Sequence, residues 1–319
     1  MNIEKYTERA RGFVMGRRWQ HGVLFLTTDH RLAPSKCAPH YSRRREPVTH
    51  RHPSGHHNMP FVHSDKAEIY YDVMGEGPAV ILAHGAEGNA LSWFQQVPVL
   101  AERYRTVVFD HRGFGRSGCA PDDLQPGKFG ADILAVMDAL GIARAAIIAQ
   151  SMAGWGAMQA AIAAPDRITA VALVATSGGL KPPAGGDGPP DPNPAPLAGN
   201  LARLALAPNF ANREPRLAWL FDQISLMNQN IELLAGRLGA PENLIGATDL
   251  VGYQTPTLVV APTLDTFFPR AMLHEVRAAI PGARFVEIQD SGHAPYWEMP
   301  AVFNTVVLEF LAKCTRAND

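Results

Sequence analysis

Apolar residues along this chain fall into short runs, and longer segments with a helical spacing of apolar positions lie between them. Several runs are apolar at every position, which is typical of strands in a parallel sheet covered on both faces. The predicted strands span residues 69–73, 79–83, 106–110, 145–149, 168–175, 257–261 and 284–288. The predicted helices span residues 91–103, 129–140, 152–164, 270–280 and 299–313. This alternation predicts an α/β fold with a doubly wound sheet.

One long segment interrupts the alternation after the strand at 168–175. Residues 181–196 contain 7 Pro and 3 Gly, and helical patterns follow at 197–207, 213–228 and 231–238. We interpret residues 181–250 as a Pro-rich loop and a helical cap, because they leave the core beside the carboxyl end of a strand, where open α/β sheets bind ligands. The alternative is a surface excursion with no role in a site.

The first 58 residues have a different composition from the rest. They carry 9 Arg and 2 Lys against 4 acidic residues, and they hold 7 of the 12 histidines. We expect a disordered extension, because such a segment buries too little apolar surface to offset its ordering entropy. Two alternatives are a metal-binding histidine tract at residues 50–57 and an arginine-rich anchor for an anionic partner. From Met59 the sequence is typical of a protein start, so the predicted core spans 59–180 and 251–319.

Composition narrows the classes of function. A net charge of −1 gives no indication of nucleic-acid or anionic-membrane binding. The three cysteines, Cys37, Cys119 and Cys314, are too few and too widely spaced for a disulfide framework or a zinc site, and they favour free thiols. No apolar run is long enough to span a bilayer or to form a signal peptide. We expect a cytoplasmic protein, monomer or homodimer, that acts on a small molecule without nucleic acid or membrane.

The segment "IIAQSMAGW", residues 147–155, leads from an apolar strand through Ser151 into a helix. A nucleophile elbow has this form, and it needs small residues two positions either side of the serine because the strand and helix nearly touch. Ala149 and Ala153 are small, although each adds a methyl group where glycine is usual. The turn remains feasible if the strained backbone angle falls on Ser151 itself. A serine that caps a core helix is the alternative.

Two further residues follow predicted strands in an order that fits acyl-transfer chemistry. Asp265 lies in "TLDTFFP" after the strand at 257–261, and His293 lies in "DSGHAPYWEMP" after the strand at 284–288. All three side chains should therefore emerge at one edge of a parallel sheet, in the order Ser, Asp, His. His293 would accept the proton of Ser151, and Asp265 would orient and stabilise the imidazole. Taken singly, each could be a turn or loop residue.

The segment "ILAHGAEGN", residues 81–89, adds a way to stabilise an oxyanion. A tight turn at His84 and Gly85 would direct the backbone N–H of Ala86 toward the serine. Together with the N–H of Met152 at the start of the following helix, it would form a two-donor oxyanion hole. His84 itself is interpreted as a structural turn residue.

Residues 59–313 resemble the α/β-hydrolase superfamily in "LAHGAEGN", "VVFDHRGFGRS", "IIAQSMAGW", "TLDTFFP" and "DSGHAPYWEMP". The resemblance implies a mostly parallel twisted sheet flanked by helices, with Ser151 as nucleophile, Asp265 as acid and His293 as base. It also implies an oxyanion hole at Ala86 and Met152. "FDHRGFGRS" matches a loop that is usually structural in the family, so Asp110 and His111 are not taken as catalytic.

A serine nucleophile excludes the haloalkane dehalogenase and epoxide hydrolase branches, which use an aspartate. We expect a serine hydrolase of small carboxylic esters or lactones, with no metal and no organic cofactor. A C–C bond hydrolase of ring-fission diketones and a non-catalytic ligand-binding member are the alternatives. The expected pocket aromatics are Trp155, Trp93, Phe267 and Tyr296, with Phe94, Trp219, Phe221 and Phe268 as further candidates.

Overall fold

The computed structural model describes residues 16–20, 23–27, 60–181, 201–228 and 231–316. The chain divides into two units, residues 1–47 and residues 48–319. In the first unit, strands β1 (Gly16–Gln20) and β2 (Val23–Thr27) pair antiparallel. The sequence analysis assigned no strand to this region, although the apolar run in β2 has strand character. The expected disorder otherwise falls outside the described residues, and so does the histidine tract at 50–57.

A single eight-stranded sheet organises the second unit. Its strands are β3 (Phe61–Ser64), β4 (Ala67–Met74), β5 (Ala79–Ala83), β6 (Arg105–Phe109), β7 (Ala145–Gln150), β8 (Ile168–Val174), β9 (Thr257–Pro262) and β10 (Arg284–Ile288). Their order is β10-β9-β8-β7-β5-β6-β4-β3. Strands β5 to β10 run parallel, whereas β4 pairs antiparallel with β6 and β3 antiparallel with β4. The mostly parallel sheet is as predicted; β3 is additional, and three of its four residues are not buried.

Ten helices accompany the sheet in the described part of the chain. They are α1 (Val97–Leu100), α2 (Phe129–Ala139), α3 (Ala153–Ala163), α4 (Leu201–Ala205), α5 (Phe210–Arg213), α6 (Pro215–Leu226), α7 (Ile231–Leu238), α8 (Arg270–Ala279), α9 (Pro295–Glu298) and α10 (Pro300–Arg316). The predicted helix at 91–103 was too long. A 3₁₀ turn at Ala90–Trp93 comes first, and the short helix α1 follows it. Pro98 lies in the first turn of α1, because proline is tolerated only there in a helix. Within these ranges no helix is long and apolar enough to cross a membrane.

The apolar core lies on both faces of the sheet. Ile148 and Val260 face one side, where α10 packs, while Ile147 and Val259 face the other side, where α2, α3 and α8 pack. Adjacent residues of a strand point to opposite faces, so a strand covered on both sides is apolar throughout. This explains the continuous apolar runs of the central strands.

The loop after β6, "DHRGFGRS" at residues 110–117, is held by buried ion pairs. Arg112 donates to both carboxylate oxygens of Asp132 in α2, and neither side chain is exposed. Asp110 accepts from the Ala90 N–H at 2.7 Å and from Arg116 Nε at 2.8 Å. These bonds tie the loop to α2 and to the segment after β5. The loop is therefore structural, as the sequence analysis expected.

Candidate active site

Ser151 occupies a sharp turn between β7 and α3. Its φ angle is +52°, in the left-handed region that non-glycine residues rarely adopt. The Ser151 N–H donates to the Val174 carbonyl oxygen at 2.9 Å, so the neighbouring strand fixes the turn. A left-handed angle on a residue other than glycine costs about 1–2 kcal/mol, and such strain concentrates at functional sites. The turn has the geometry of a nucleophile elbow.

The alanines at the elbow are compatible with this geometry. Ala149 and Ala153 are fully buried, and neither carries a positive φ angle. The tightest approach lies one residue later, at Gly154, where an added Cβ would come within 2.7 Å of Thr176 Cγ2 and 3.1 Å of Gly178 Cα. The glycine that the elbow requires for space is therefore Gly154, and the strained angle falls on Ser151 as the sequence analysis required.

Asp265 and His293 meet at the ends of β9 and β10. His293 Nδ1 lies 3.0 Å from Asp265 Oδ2. The other carboxylate oxygen, Asp265 Oδ1, accepts the N–H groups of Phe267 at 2.8 Å and Phe268 at 3.1 Å. The carboxylate is thus oriented by its own loop, and it holds the proton of the imidazole on Nδ1. In that tautomer Nε2 is the nitrogen able to accept a proton.

Opposing effects act on the pKa of His293. Burial lowers it, but the charge of Asp265 and its hydrogen bond raise it, and the net result is a pKa above the usual 6.5. The protonated form of His293 is therefore more stable than the protonated form of an isolated histidine, which suits a general base in acyl transfer.

Two phenylalanines flank the imidazole. The Phe267 ring lies 4.9 Å from His293 in an edge-on arrangement, and the Phe268 ring stacks at 5.6 Å with an interplanar angle of 11°. Both are partly exposed. Phe267 was expected at the site, and Phe268 forms the second contact.

The segment after β5 presents Ala86 beside the elbow. His84 donates through Nδ1 to the Gly85 carbonyl oxygen at 2.7 Å and accepts the His111 N–H at Nε2 at 2.9 Å. Burial lowers the pKa of His84 to about 4, so the ring is neutral and structural. Among the described residues, neither the Ala86 N–H nor the Met152 N–H has a protein acceptor.

Three of the expected pocket aromatics are buried. Trp93 and Tyr296 have no exposed surface, and their rings pack 4.5 Å apart within the core. Trp155 is nearly buried, and its Nε1 donates to the Leu238 carbonyl oxygen of α7 at 3.2 Å. Trp155 therefore joins α3 to α7. Large aromatic residues near a motif are as well suited to core packing as to binding, and sequence alone does not separate the two roles.

Three buried polar residues around the site were not identified from the sequence. Glu87 follows Ala86, Gln150 precedes Ser151, and Glu298 follows His293 by five positions. All three are at most 8% exposed. Their adjacency to the motif residues was the only available signal, and it does not reveal burial.

Comparison with known proteins gives the family. Residues 78–300, more than half of the chain, match the model described as alpha/beta hydrolase fold. The chain belongs to this family. It is a hydrolase of the α/β-hydrolase fold.

Individual relatives cover most of the chain but differ in the reactions they are named for. The chain is 31% identical over 271 residues to 2-hydroxy-6-oxo-6-phenylhexa-2,4-dienoate hydrolase of Burkholderia cepacia, covering 76% of this chain and 91% of that protein. It is 26% identical to a protein of Azorhizobium caulinodans named as a carbamate hydrolase, RutD, covering 79% and 98%. The structure of the enol-lactonase from Burkholderia xenovorans LB400 superposes with a TM-score of 0.68 at 25% identity, covering 79% and 100%.

Proposed function

We propose that this α/β hydrolase cleaves small carboxylic esters or lactones through Ser151, His293 and Asp265. The observation that carries the proposal is the left-handed Ser151 at the end of β7, together with the 3.0 Å contact between His293 and Asp265 after β10 and β9 of the same sheet. Backbone strain of this kind concentrates at functional sites, which supports a catalytic role for Ser151. The similarity to an enol-lactonase supports the substrate class.

The reaction follows from these positions. Ser151 Oγ attacks the carbonyl carbon while His293 Nε2 takes the hydroxyl proton. The negative charge on the tetrahedral oxygen is accepted by the N–H groups of Ala86 and Met152. His293 then gives the proton to the leaving alcohol, and an acyl-enzyme remains. Water attacks the acyl-enzyme, again with His293 as base, and restores Ser151.

The substrate is expected to be small and largely apolar. Phe267 and Phe268 provide the partly exposed apolar surface next to His293. Asp265 is the charged carboxylate among the residues proposed for catalysis, and it is already paired with His293. A strongly charged substrate would therefore find no free counter-ion among these residues. Uncharged acyl groups therefore suit the site best.

A second candidate is hydrolysis of a carbon–carbon bond in a ring-fission diketone. It is favoured by the 31% identity to a 2-hydroxy-6-oxo-6-phenylhexa-2,4-dienoate hydrolase. The same serine, histidine and aspartate would serve both reactions, so the two candidates differ in the substrate alone.

The deciding experiment is steady-state hydrolysis of p-nitrophenyl acetate, butyrate and octanoate, a γ-lactone and a ring-fission diketone by the full chain. Ser151→Ala should reduce turnover to background on the preferred substrate, a loss of roughly 10³-fold or more. Ser225→Ala in α6 is the matched control, and it should retain activity. Turnover that survives Ser151→Ala contradicts the proposal. Turnover of the diketone alone favours the second candidate.

A further inference from the structure

Glu87 is an acidic side chain enclosed beside the proposed site. It follows Ala86 in the segment after β5, it is 1% exposed, and its Oε1 has no hydrogen-bond partner in the described part of the chain. Its carboxyl lies within hydrogen-bonding reach of the Gln150 side chain, and His293, Asp265 and Tyr296 are the titratable groups around it. An unpaired buried carboxylate is strongly unfavourable, so the group requires a partner or a proton.

The contacts of the Gln150 side chain indicate that Glu87 carries a proton. Gln150 Nε2 donates to the His293 carbonyl oxygen at 3.1 Å, so its Oε1 points away from His293, and this oxygen also lacks a donor among the described residues. An added Cβ on Gly85 would overlap Gln150 Oε1 and lie 2.9 Å from Glu87 Oε2. The amide oxygen and the carboxyl therefore meet on the same side of Gly85. Two oxygens that face each other can form a hydrogen bond only if one of them carries a proton.

The opposite orientation of the Gln150 amide does not resolve the contact. Rotating the amide would direct Nε2 toward Glu87, but it would set Gln150 Oε1 against the His293 carbonyl oxygen, where neither atom can donate. It would also leave a charged Glu87 buried near the carboxylate of Asp265. The orientation that satisfies His293 is thus the one that demands a donor from Glu87.

We propose that Glu87 is a positioning residue for His293: its carboxyl, in the acid form, donates a hydrogen bond to Gln150 Oε1 and so fixes the amide that holds the His293 backbone. This rests on the proposed function in that His293 is taken as the base. Burial is the largest influence on the pKa of Glu87 and raises it, which agrees with the acid form; a charged His293, the backbone N–H of Glu87 and the Gln150 side chain act in the opposite direction. Gly85 is required at this contact because any side chain there would displace the two oxygens.

The protonation of Glu87 can be measured directly and without substrate. The full chain is labelled with carbon-13 at the glutamate side-chain carboxyl, and Glu87→Gln identifies the resonance by its loss. We expect a resonance in the protonated position at neutral pH that moves only at higher pH. Glu298 is assigned separately with Glu298→Gln, because its pKa is also raised. A Glu87 resonance in the ionised position at neutral pH overturns the proposal.

Kinetics test the positioning role. Glu87→Gln keeps a donor for Gln150 Oε1, so kcat and the acid limb of the pH profile should stay close to those of the parent. Glu87→Ala removes the donor, and kcat should fall about 10- to 100-fold with little change in KM, as small misplacements of catalytic groups do. Gln150→Ala should act similarly, and the double variant should be no worse than the poorer single variant, because the two residues act as one unit. Glu309→Gln, exposed on α10, is the control for the chemical change.

Two results would contradict the proposal in this second test. One is a Glu87→Gln variant as impaired as Glu87→Ala, and the other is an acid limb that Glu87→Gln shifts by about a pH unit, which would indicate a charged carboxylate acting on His293. Absence of ester and lactone hydrolysis in the parent contradicts the proposed function instead. The carboxyl resonance still decides the state of Glu87 in that case.

Discussion

At the scale of single residues, Ser151 shows which part of a motif carries its geometry. The turn needs one left-handed residue and one close approach, and the structure assigns the first to Ser151 and the second to Gly154. The glycine positions of the usual motif can therefore hold alanine, since neither Ala149 nor Ala153 has a strained angle. The residue types that look decisive in a sequence pattern need not be the ones that are physically constrained.

Replacing Ser151 by glycine or by alanine should separate strain from chemistry. Both variants lose the hydroxyl, but only glycine adopts a φ of +52° without steric cost. We expect the free energy of unfolding of Ser151→Gly to exceed that of Ser151→Ala by about 1 kcal/mol, as measured by urea denaturation. Gly236, which faces open space in α7, offers a control through Gly236→Ala, where alanine should be the more stable residue. Equal stabilities for the two Ser151 variants would contradict strain at the elbow.

The pKa of His293 predicts the direction of the pH dependence. Because it is raised above 6.5, kcat/KM should increase with pH through an acid limb above 6.5, as the neutral base forms. Asp265→Asn should lower kcat about 10³- to 10⁴-fold and move the residual acid limb to lower pH, since burial then acts without the opposing charge. Asp138→Asn, an exposed residue paired with Arg167, is the control. An acid limb that stays in place in Asp265→Asn would show that another group sets it.

At the scale of elements, the sequence predicted the strands and most of the helices, and one helix next to the site was wrong. The predicted strands at 79–83, 145–149 and 284–288 lie within one residue of β5, β7 and β10, because a buried parallel strand is apolar at every position and is bounded by turn residues. The helix at 91–103 was wrong because Pro98 fits only a helix's first turn, and helical spacing does not reveal that.

The parts of the site that could not be predicted depend on burial. Glu87 is a polar residue in a turn and Gln150 is the last residue of β7, and the packing of Gly85 against both side chains brings them together. Burial is equally hard to predict for Trp93 and Tyr296, whose rings are fully buried and pack against each other. Motif order predicted that Ser151, Asp265 and His293 follow strands, whereas the environment of each side chain depends on tertiary contacts.

At the scale of the whole second unit, a few hydrogen bonds connect the segment α4–α7, which the sequence analysis interprets as a cap, to the loops that carry Gly88 and His293. Asn228 Nδ2 donates to the Gly88 carbonyl oxygen at 2.8 Å. Glu298 accepts the Ala207 N–H at 2.8 Å and the Gly292 N–H at 2.9 Å, so one carboxyl joins the segment after α4 to the residue before His293. The cap and the His293 loop are thereby held through the same side chain.

Glu298 should make the stability of this connection depend on pH. Burial raises its pKa from 4.5 to about 7, against the opposing hydrogen bonds, so the folded state binds the proton more tightly than the unfolded chain. The resulting stability is fully present below about pH 4.5 and is lost as pH rises through about 7, a change of roughly 3 kcal/mol. In Glu298→Gln this dependence should disappear, because the amide does not titrate. Urea denaturation from about pH 4 to about pH 8 gives the free energy of unfolding of both proteins. The difference between the two values isolates Glu298, because the other titratable groups are the same in both proteins. The stability of Glu309→Gln should change with pH as that of the parent does. If the difference in stability between the parent and Glu298→Gln stays constant, Glu298 keeps one charge state across this pH range. The link between the cap and the His293 loop would then be independent of pH.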